Sequence, residues 1–330
     1  MIVKAANYRR YGPPEVIRIE EAAMPVPGDG EVLIAVRAAS INPLDVHLMR
    51  GKPAIARLFF GLTGPKDGRL GVDLAGVVEA VGAGVTRFRP GDAVFGSGRG
   101  ALAEYACVAE SRLTGKPDGL SFAQAAALPV AGITALQALR DKAGVAAGRK
   151  VLINGAAGGV GTFAVQIAKA WGAEVTGICS ARNLAMVRGI GADRAIDYAL
   201  EDFTRGGARY DLIFDLAGTQ PLSSMRRVLA PGGMILLGGM AGLPAPSIGK
   251  LVGRMIGGLL ASRFTSGKAA LISARIKQED LAELAAMAEK GEITPVIESC
   301  YSLFETAAAI REVARGHARG KVVVTVGVGT

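Results

Sequence analysis

The stretch that decides the fold is Lys150–Lys169, which reads KVLINGAAGGVGTFAVQIAK. It opens with the short apolar run Val151–Ile153, which is typical of a buried parallel strand. A turn made almost entirely of Gly and Ala, Asn154–Gly161, follows this run. From Val160 onward, apolar residues recur at helical spacing. A strand, a small-residue turn and a helix N-terminus form a pyrophosphate-binding arrangement, because the glycines let the backbone approach the ligand and the free N–H groups of the first helical turn face the anion.

A second strand follows the glycine turn at the distance that a dinucleotide-binding fold requires. This strand, Ala173–Ser180, ends about 20 residues beyond the turn. The combination predicts a dinucleotide site in an α/β fold with a doubly wound parallel sheet. The residues predicted to contact the pyrophosphate are Ala157, Gly158, Gly159, Val160 and Gly161. The alternative is a glycine-rich turn in another kind of α/β protein.

The residues at the tip of this second strand indicate which nucleotide is preferred. They are Ser180-Ala181-Arg182-Asn183, without a carboxylate. A site that prefers NAD usually has Asp or Glu here to bind the ribose 2′-hydroxyl, whereas a guanidinium and a hydroxyl suit a 2′-phosphate. A charge-assisted hydrogen bond of roughly 1.5–3 kcal/mol from Arg182 would favour NADPH by about one to two decades. The sequence therefore predicts an NADPH site with contacts from Ser180 and Arg182. Alternatively, Arg182 only solvates the start of a helix.

Composition and charge narrow the class of protein. The chain has 330 residues, of which 50% are apolar and 20% are charged, as expected of a well-packed globular protein with two domains. Its 38 Lys and Arg residues exceed its 29 Asp and Glu residues, so the formal net charge is +9. The basic residues are dispersed, without a Lys/Arg-rich run or interleaved aromatic residues. Nucleic acid is therefore not a predicted partner.

Three features bear on the compartment. The three cysteines lie far apart in the sequence, which indicates a reducing compartment without a disulfide framework. The stretch Met1–Ala6 lacks a basic region followed by an apolar one, so no signal peptide is expected. The stretch 248–261 is the most lipid-like, but Lys250 and Arg254 interrupt it and it is too short to span a bilayer. We expect a cytoplasmic protein without stable membrane insertion.

The order of predicted elements changes along the chain. In residues 1–120, short strands alternate with Gly- and Pro-rich turns, which is typical of a compact β-barrel. From Ser121, where a capping-box pattern opens a helix, strands alternate with helices and predict a doubly wound parallel sheet. A predicted helix, Gln278–Lys290, and two strands around Val296–Glu298 and Lys321–Val326 close the chain.

Four further motifs lie before and after the glycine turn, and the family resemblance that they carry extends over essentially the whole chain. They are Asn42-Pro43-Leu44-Asp45, Gly71-Val72-Asp73-Leu74-Ala75-Gly76-Val77-Val78, Pro90-Gly91-Asp92 and Gly320-Lys321-Val322-Val323. Together they resemble the medium-chain dehydrogenase/reductase superfamily, specifically its zinc-free quinone oxidoreductase and enone reductase branch. The resemblance implies a GroES-like β-barrel catalytic domain of residues 1–122 and 266–330, and a Rossmann NADP-binding domain of residues 123–265. It also implies an active site in the cleft between these domains.

The resemblance also bears on metal binding. Zinc-dependent members of the superfamily use a Cys, a Gly-His-Glu segment and a further Cys or Asp as ligands, and carry four cysteines in a structural lobe. In this chain Gly71-Val72-Asp73 stands at the Gly-His-Glu segment, and Asn42 stands near the place of the first Cys. Because catalytic zinc needs three protein ligands and structural zinc needs four, no metal site is predicted. Without a Lewis acid to bind an alkoxide, oxidation of simple alcohols is not expected.

The implied chemistry is delivery of a hydride from NADPH to an electron-poor carbon, such as the β-carbon of an enone or a quinone ring. By resemblance, Asn42, Asp45 and His47 line the nicotinamide pocket and Thr134 approaches the nicotinamide from the other domain. His47 stands where related reductases often carry Tyr. It could donate a hydrogen bond or a proton to the substrate carbonyl, since a near-neutral pKa suits both roles. Alternatively, it shapes the pocket or binds the nicotinamide ribose while water supplies the proton.

The resemblance implies further cofactor contacts. They are Tyr198, Leu216, Gly238, Gly239, Met240 and Lys321. Tyr198 matches a position at the adenosine phosphate end, and the residues from Gly238 onward match backbone contacts to the nicotinamide carboxamide. Lys321 matches a position near the cofactor, but it could equally be a charge at a strand edge.

Two apolar segments, 53–62 and 251–260, could line a channel for a small hydrophobic quinone or enone. Alternatively, they pack into the core or a dimer interface, and a homodimer is expected by analogy with related proteins. The leading hypothesis is a reductase of quinones or activated alkenes. The alternatives are a metal-free NADP-dependent alcohol dehydrogenase or carbonyl reductase, and a non-catalytic NADPH-binding sensor or accessory protein, because a cofactor motif reports binding and not turnover.

Overall fold

The computed structural model describes residues 1–54, 57–238, 268–316 and 318–327. The chain divides into two compact units. The first unit comprises Met1–Ile133 and Arg275–Thr330, and the second comprises Thr134–Ala274.

Both units combine strands with helices. The strands are β1 (Ile2–Tyr8), β2 (Ile17–Ala23), β3 (Glu31–Ile41), β4 (Asp73–Val81), β5 (Ala93–Ser97), β6 (Tyr105–Ala109), β7 (Leu113–Gly115), β8 (Lys150–Asn154), β9 (Glu174–Cys179), β10 (Arg194–Asp197), β11 (Tyr210–Asp215), β12 (Leu229–Leu237), β13 (Lys268–Leu271), β14 (Ile297–Ser302) and β15 (Lys321–Thr325). The α-helices are α1 (Pro43–Arg50), α2 (Arg57–Phe60), α3 (Phe122–Ala127), α4 (Pro129–Gln137), α5 (Gly159–Ala170), α6 (Leu184–Gly189), α7 (Leu222–Arg226), α8 (Gln278–Glu289) and α9 (Thr306–Ala314).

The central strand of the first unit is β3. The strands of its larger sheet follow the order β14-β15-β3-β4-β5-β7, and β6 also pairs with β3. Both β15 and β4 run antiparallel to β3, with Val322 opposite Ile41 and Asp73 opposite Ser40. Neighbours that run antiparallel to β3 begin where β3 ends. The pairing therefore gathers the end of β3 and the starts of β4 and β15 at one place.

The second unit is built on a parallel sheet. Its strands follow the order β10-β9-β8-β11-β12-β13, and every neighbouring pair is parallel. The order of connection reverses between β8 and β11, and sheets of this type bind ligands outside the carboxyl ends of their strands at such a point. The residues that follow β8 and β11 are therefore where a ligand is expected.

Burial explains why the glycine-turn stretch takes this form. Val151, Leu152 and Ile153 are fully buried in β8, as expected of a parallel strand covered on both faces. On α5, Phe163 and Ile167 are also fully buried, so the helical spacing predicted from the sequence is confirmed. These apolar contacts attach the turn to the core at both of its ends.

Several predicted boundaries move by a few residues. The helix predicted from Arg182 begins with a 3₁₀ turn, Ala181–Asn183, and continues as α6. The predicted capping box is present, since Ser121 Oγ accepts a hydrogen bond from the backbone N–H of Gln124 at 3.2 Å. The predicted helix from Gln278 is confirmed as α8. Boundaries depend on end contacts that periodicity does not report.

One of the two apolar segments can be placed. In the segment 53–62, Leu58, Phe60 and Leu62 are 63%, 40% and 67% exposed, so these side chains do not pack into the core. A substrate channel and an interface between copies remain as explanations for them. The segment 251–260 lies outside the described residues. Within the part of the chain that the structure describes, no helix combines the length and apolar character needed to cross a bilayer.

Candidate active site

A buried polar cluster lies at the end of β3 in the first unit. Its centre is Asp73, the first residue of β4, which has no exposed surface. Its Oδ2 atom accepts hydrogen bonds from Asn42 Nδ2 at 2.8 Å and from Ser40 Oγ at 3.2 Å. Its Oδ1 atom accepts one from the backbone N–H of Val130 at 3.2 Å. These donors satisfy a carboxylate that would otherwise be costly to bury.

Lys321, the first residue of β15, completes this arrangement. Its Nζ atom lies 2.6 Å from Asn42 Oδ1, 3.2 Å from Ile41 O and 3.6 Å from Asp73 Oδ2. Burial lowers the pKa of Lys321, while the nearby carboxylates oppose this change. The predicted contact of Lys321 with the cofactor stays a prediction, because the ammonium is enclosed here by three oxygen atoms of the first unit. We call Ser40, Asn42, Asp45, Asp73 and Lys321 the Asp73 cluster.

Asp45 joins the cluster through the start of α1. Asn42 precedes Pro43, and proline at the first helical position suits a helix start. The backbone N–H of Asn42 donates to Asp45 Oδ2 at 2.8 Å. Burial raises the pKa of Asp45 to about 7; the charge of Asp73 adds to this rise, while that of Lys321 opposes it. A carboxyl group that exchanges its proton near neutral pH therefore lies among the residues predicted to be catalytic.

The raised pKa of Asp45 predicts a pH-dependent stability. The folded protein binds this proton more tightly than the unfolded chain, so the contribution is fully present below the ordinary pKa of 3.8 and is lost as the pH rises through about 7. The full difference corresponds to about 4 kcal/mol as an upper value. We expect the melting temperature of wild type to fall, relative to that of Asp45→Asn, between about pH 4 and about pH 8. Thermal melts of both proteins across this range measure it, and parallel curves would contradict the assignment.

His47 lies on the same helix as Asp45 and is half-buried. Burial lowers the pKa of His47, and the charge of Arg50 lowers it further. A neutral imidazole donates a hydrogen bond through one ring nitrogen but carries no additional proton at neutral pH. The roles predicted for His47, as a hydrogen-bond or proton donor to the substrate or as a residue that shapes the pocket or binds the ribose, stay predictions. The fourth residue predicted to be catalytic, Thr134, lies on α4 and is partly buried.

In the second unit, the predicted glycine turn joins β8 to α5. Gly155 has a φ of +90°, a conformation that residues with a side chain rarely adopt. Gly158 is the N-cap of α5, no side chain of the described residues caps this end, and the first turn contains no acidic residue. The first N–H groups of α5 are therefore open to an anion. This turn, which includes Ala157, Gly159, Val160 and Gly161, fits the pyrophosphate of a dinucleotide.

The predicted adenosine contacts lie at the neighbouring strand ends. Ser180 and Arg182 follow β9, and Tyr198 follows β10. The backbone N–H of Tyr198 donates to Cys179 O at 3.2 Å, which holds the two strand ends together. Arg182 is exposed, and Tyr198 is 60% exposed. Both side chains are therefore accessible at the carboxyl ends of the strands, where a ligand is expected. Their contacts with the cofactor stay predictions.

Further predicted cofactor contacts follow the next strands of the sheet. The backbone N–H of Leu216, just after β11, donates to Asn154 O at 2.9 Å. The backbone N–H of Gly238, just after β12, donates to Asp215 O at 2.9 Å. Both residues thus lie at the carboxyl ends of the strands, as the glycine turn does. Gly239 and Met240 lie outside the described residues.

Sequence reasoning missed one polar contact at the carboxyl ends of the strands, between Asn154 and Asp215. Asn154 Nδ2 donates to Asp215 Oδ1 at 2.8 Å, and the backbone N–H of Gly218 donates to the same oxygen at 2.9 Å. Both side chains are buried. They connect the turn after β8 to the turn after β11. The available signal was a polar residue directly after a run of three apolar residues in each of the two strands.

The first unit has a mostly antiparallel sheet with a buried polar cluster, and the second has a parallel sheet with a dinucleotide-type turn. This combination is typical of a two-domain dehydrogenase or reductase. Comparison with family models agrees. Residues 28–118 match the alcohol dehydrogenase GroES-like domain, and residues 190–324 match a family described as zinc-binding dehydrogenase.

Comparison with individual proteins covers almost the whole chain. The chain is 33% identical to a chloroplastic quinone-oxidoreductase of Triphysaria versicolor. The alignment is 341 positions long and covers 98% of each chain. It is 34% identical to a mitochondrial NAD(P)H oxidoreductase of Mus musculus. This alignment is 366 positions long and covers 96% of this chain and 87% of the relative. The solved quinone oxidoreductase from Coxiella burnetii is 31% identical and superposes with a TM-score of 0.85, covering 99% of this chain and 100% of that chain.

The chain belongs to the medium-chain dehydrogenase/reductase superfamily, in its quinone oxidoreductase branch. The predicted fold class, a Rossmann sheet with a GroES-like β-barrel domain, is confirmed. The protein is an oxidoreductase.

A zinc ion, which the description of the second family model mentions, does not fit the Asp73 cluster. Asn42 supplies a neutral amide oxygen, and the ammonium of Lys321 lies 2.6 Å from it and 3.6 Å from Asp73 Oδ2. A metal ion bound to these oxygens would be repelled by this charge. Among the described residues, no group of three or more His, Cys, Asp or Glu side chains could hold a metal ion. We therefore assign no step of the reaction to zinc.

Proposed function

We propose that this protein is an NADPH-dependent oxidoreductase that reduces quinones or α,β-unsaturated carbonyls without a metal. The observation that carries the proposal is the start of α5, which has no side-chain cap and no acidic residue in its first turn. It follows a central strand of the parallel sheet, where dinucleotides bind. Quinones and enones share an electron-poor carbon conjugated to a carbonyl, so one site could serve both. The names of the quinone-oxidoreductase relatives support the same substrate class.

The chain's own residues would bind and orient the reactants. The nicotinamide, when bound, supplies a hydride. The N–H groups at the start of α5 would bind the pyrophosphate, with Arg182 at the 2′-phosphate. In the first unit, Asn42 Nδ2 uses one of its two hydrogens for Asp73. We assign its second hydrogen, together with the N–H of His47, to the substrate oxygen on which charge develops.

Removal of the Arg182 guanidinium tests the cofactor preference. We expect Arg182→Ala to raise the Kd for NADPH by about ten- to a hundredfold and to change the Kd for NADH by less than about twofold, because only NADPH carries the 2′-phosphate. Fluorescence titration with both nucleotides measures this. The matched control is Arg209→Ala. It removes an exposed arginine just before β11, at the amino-terminal ends of the strands and therefore opposite to the glycine turn. Equal losses for both nucleotides would contradict the assignment.

Turnover tests the proposed reaction against its alternatives. Oxidation of NADPH should proceed with quinones and enones in the presence of a chelator, and more slowly with NADH. Activity that the chelator abolishes would overturn the metal-free reaction. Oxidation of simple alcohols with NADP, without reduction of enones, would favour the metal-free alcohol dehydrogenase. Tight NADPH binding without turnover of any substrate would favour a sensor or accessory protein.

The predicted homodimer and cytoplasmic location form part of the same proposal. The exposed Leu58 and Leu62 are accessible either to a hydrophobic substrate or to a second copy of the chain. If they line a substrate channel, bulky apolar enones should be reduced faster than short ones.

A further inference from the structure

Lys321 is the first residue of β15, yet its charged end is buried within the first unit. Only 4% of its side chain is exposed, although a buried ammonium is costly. Three oxygen atoms offset this cost: Asn42 Oδ1, Ile41 O and Asp73 Oδ2. They number as many as the hydrogens of an ammonium. The site is therefore built around a cation that the chain itself supplies.

The ammonium and the carboxylate together determine how the Asn42 amide is oriented. Oδ1 faces Lys321 Nζ at 2.6 Å, and Nδ2 faces Asp73 Oδ2 at 2.8 Å. Rotation of the amide by 180° would direct its N–H group at the ammonium and its oxygen at the carboxylate. Both contacts would then be repulsive, and the burial of all three side chains would leave this repulsion poorly screened by solvent. One orientation of the Asn42 amide is thus strongly preferred.

We propose that Lys321 is a positioning residue of the active site, which acts by holding the Asn42 amide in the orientation needed for reduction. This inference rests on the proposed function and deepens it by assigning to Lys321 a role that acts through its contact with Asn42. Asn42 also begins α1, the helix that carries Asp45 and His47. The ammonium therefore contacts the residue that caps the start of α1, the helix that carries two of the other predicted catalytic residues.

The test separates orientation from charge balance. Lys321→Met removes the cation and leaves the Asp73 carboxylate unneutralised, whereas Lys321→Met combined with Asp73→Asn leaves no charge on either side chain. The matched control is Lys150→Met, which makes the same change at the first residue of β8, where the side chain is 55% exposed. For each protein we would measure the melting temperature, kcat with a quinone, and the KM for NADPH.

We expect Lys321→Met to lower the melting temperature and to lower kcat by at least about tenfold, with the KM for NADPH changed by less than about twofold. The double variant should recover most of the melting temperature, because no unpaired charge remains buried. It should not recover kcat, since no cation holds Asn42 Oδ1. Lys150→Met should match wild type in all three measurements.

Three results would overturn the proposal. Recovery of kcat together with the melting temperature in the double variant would show that Lys321 only balances charge. A raised KM for NADPH with unchanged kcat in Lys321→Met would show a direct cofactor contact. A double variant no more stable than Lys321→Met would show that the charge pair is not the basis of the arrangement. Failure of the proposed function is distinguishable, because wild type itself would then reduce no quinone.

Discussion

Gly161→Ala is expected to raise the Kd for NADPH by about a hundredfold, or about 2.7 kcal/mol. A Cβ atom at this position would lie 2.1 Å from Gly155 O and 2.9 Å from backbone atoms of Ala156. Since these neighbours are backbone atoms, no side chain can rotate away to make room. The first turn of α5 must therefore move away from the glycine turn. Its N–H groups would then no longer point at the pyrophosphate.

Titration with NADPH and thermal melting together measure this effect. Gly189→Ala is the matched control, because a Cβ atom at Gly189, the last residue of α6, would meet no neighbouring atom within 4 Å. This control should bind NADPH as wild type does. A folded Gly161→Ala protein with unchanged affinity would contradict the assignment of the turn to the pyrophosphate.

The second large effect is expected for Asn42→Leu. The leucine has a similar volume but lacks the amide, so Asp73 loses its donor at 2.8 Å and Lys321 loses its acceptor at 2.6 Å. Hydrogen bonds to charged groups contribute about 1.5–3 kcal/mol each, so loss of both should lower the free energy of unfolding by about 3–6 kcal/mol. Reduction of quinones should also fall below detection, because both the amide and the start of α1 are disturbed.

Urea denaturation of the variant and of a control on the same helix measures this loss. Leu44 is 47% exposed at the second residue of α1, so Leu44→Ala should change the free energy of unfolding by less than about 0.5 kcal/mol. If Asn42→Leu were as stable as this control, the Asp73 cluster would not contribute to folding as described.

The order of strands and helices was predictable where the local sequence pattern matches the burial and backbone conformation of the residues in the folded protein. The apolar run at Val151–Ile153 and the glycines after it predict the central strand and turn, because burial on both faces and a positive φ leave few other choices of residue. Ends of elements were less predictable. The run Leu102–Val108 is typical of one short strand, but β6 begins only at Tyr105, where its pairing with β3 starts.

The polar contacts within each unit were not predictable from local pattern. Lys321 follows Asn42 by 279 positions in the sequence, yet their side chains are 2.6 Å apart. Similarly, Asn154 and Asp215 lie 61 positions apart and meet across β8 and β11. A charged residue at the start of a strand has the same local signature whether its side chain is exposed, as at Lys150, or buried, as at Lys321.

The sequence by itself determined the fold class, the position of the dinucleotide-type turn and the membership of the quinone oxidoreductase branch, because each depends on residues that are close together along the chain. Only the tertiary structure decided that Lys321 is buried against Asn42 and Asp73. The physical reason is strand register: β15 and β4 each pair with the end of β3, and this pairing brings distant polar residues into a space from which water is excluded.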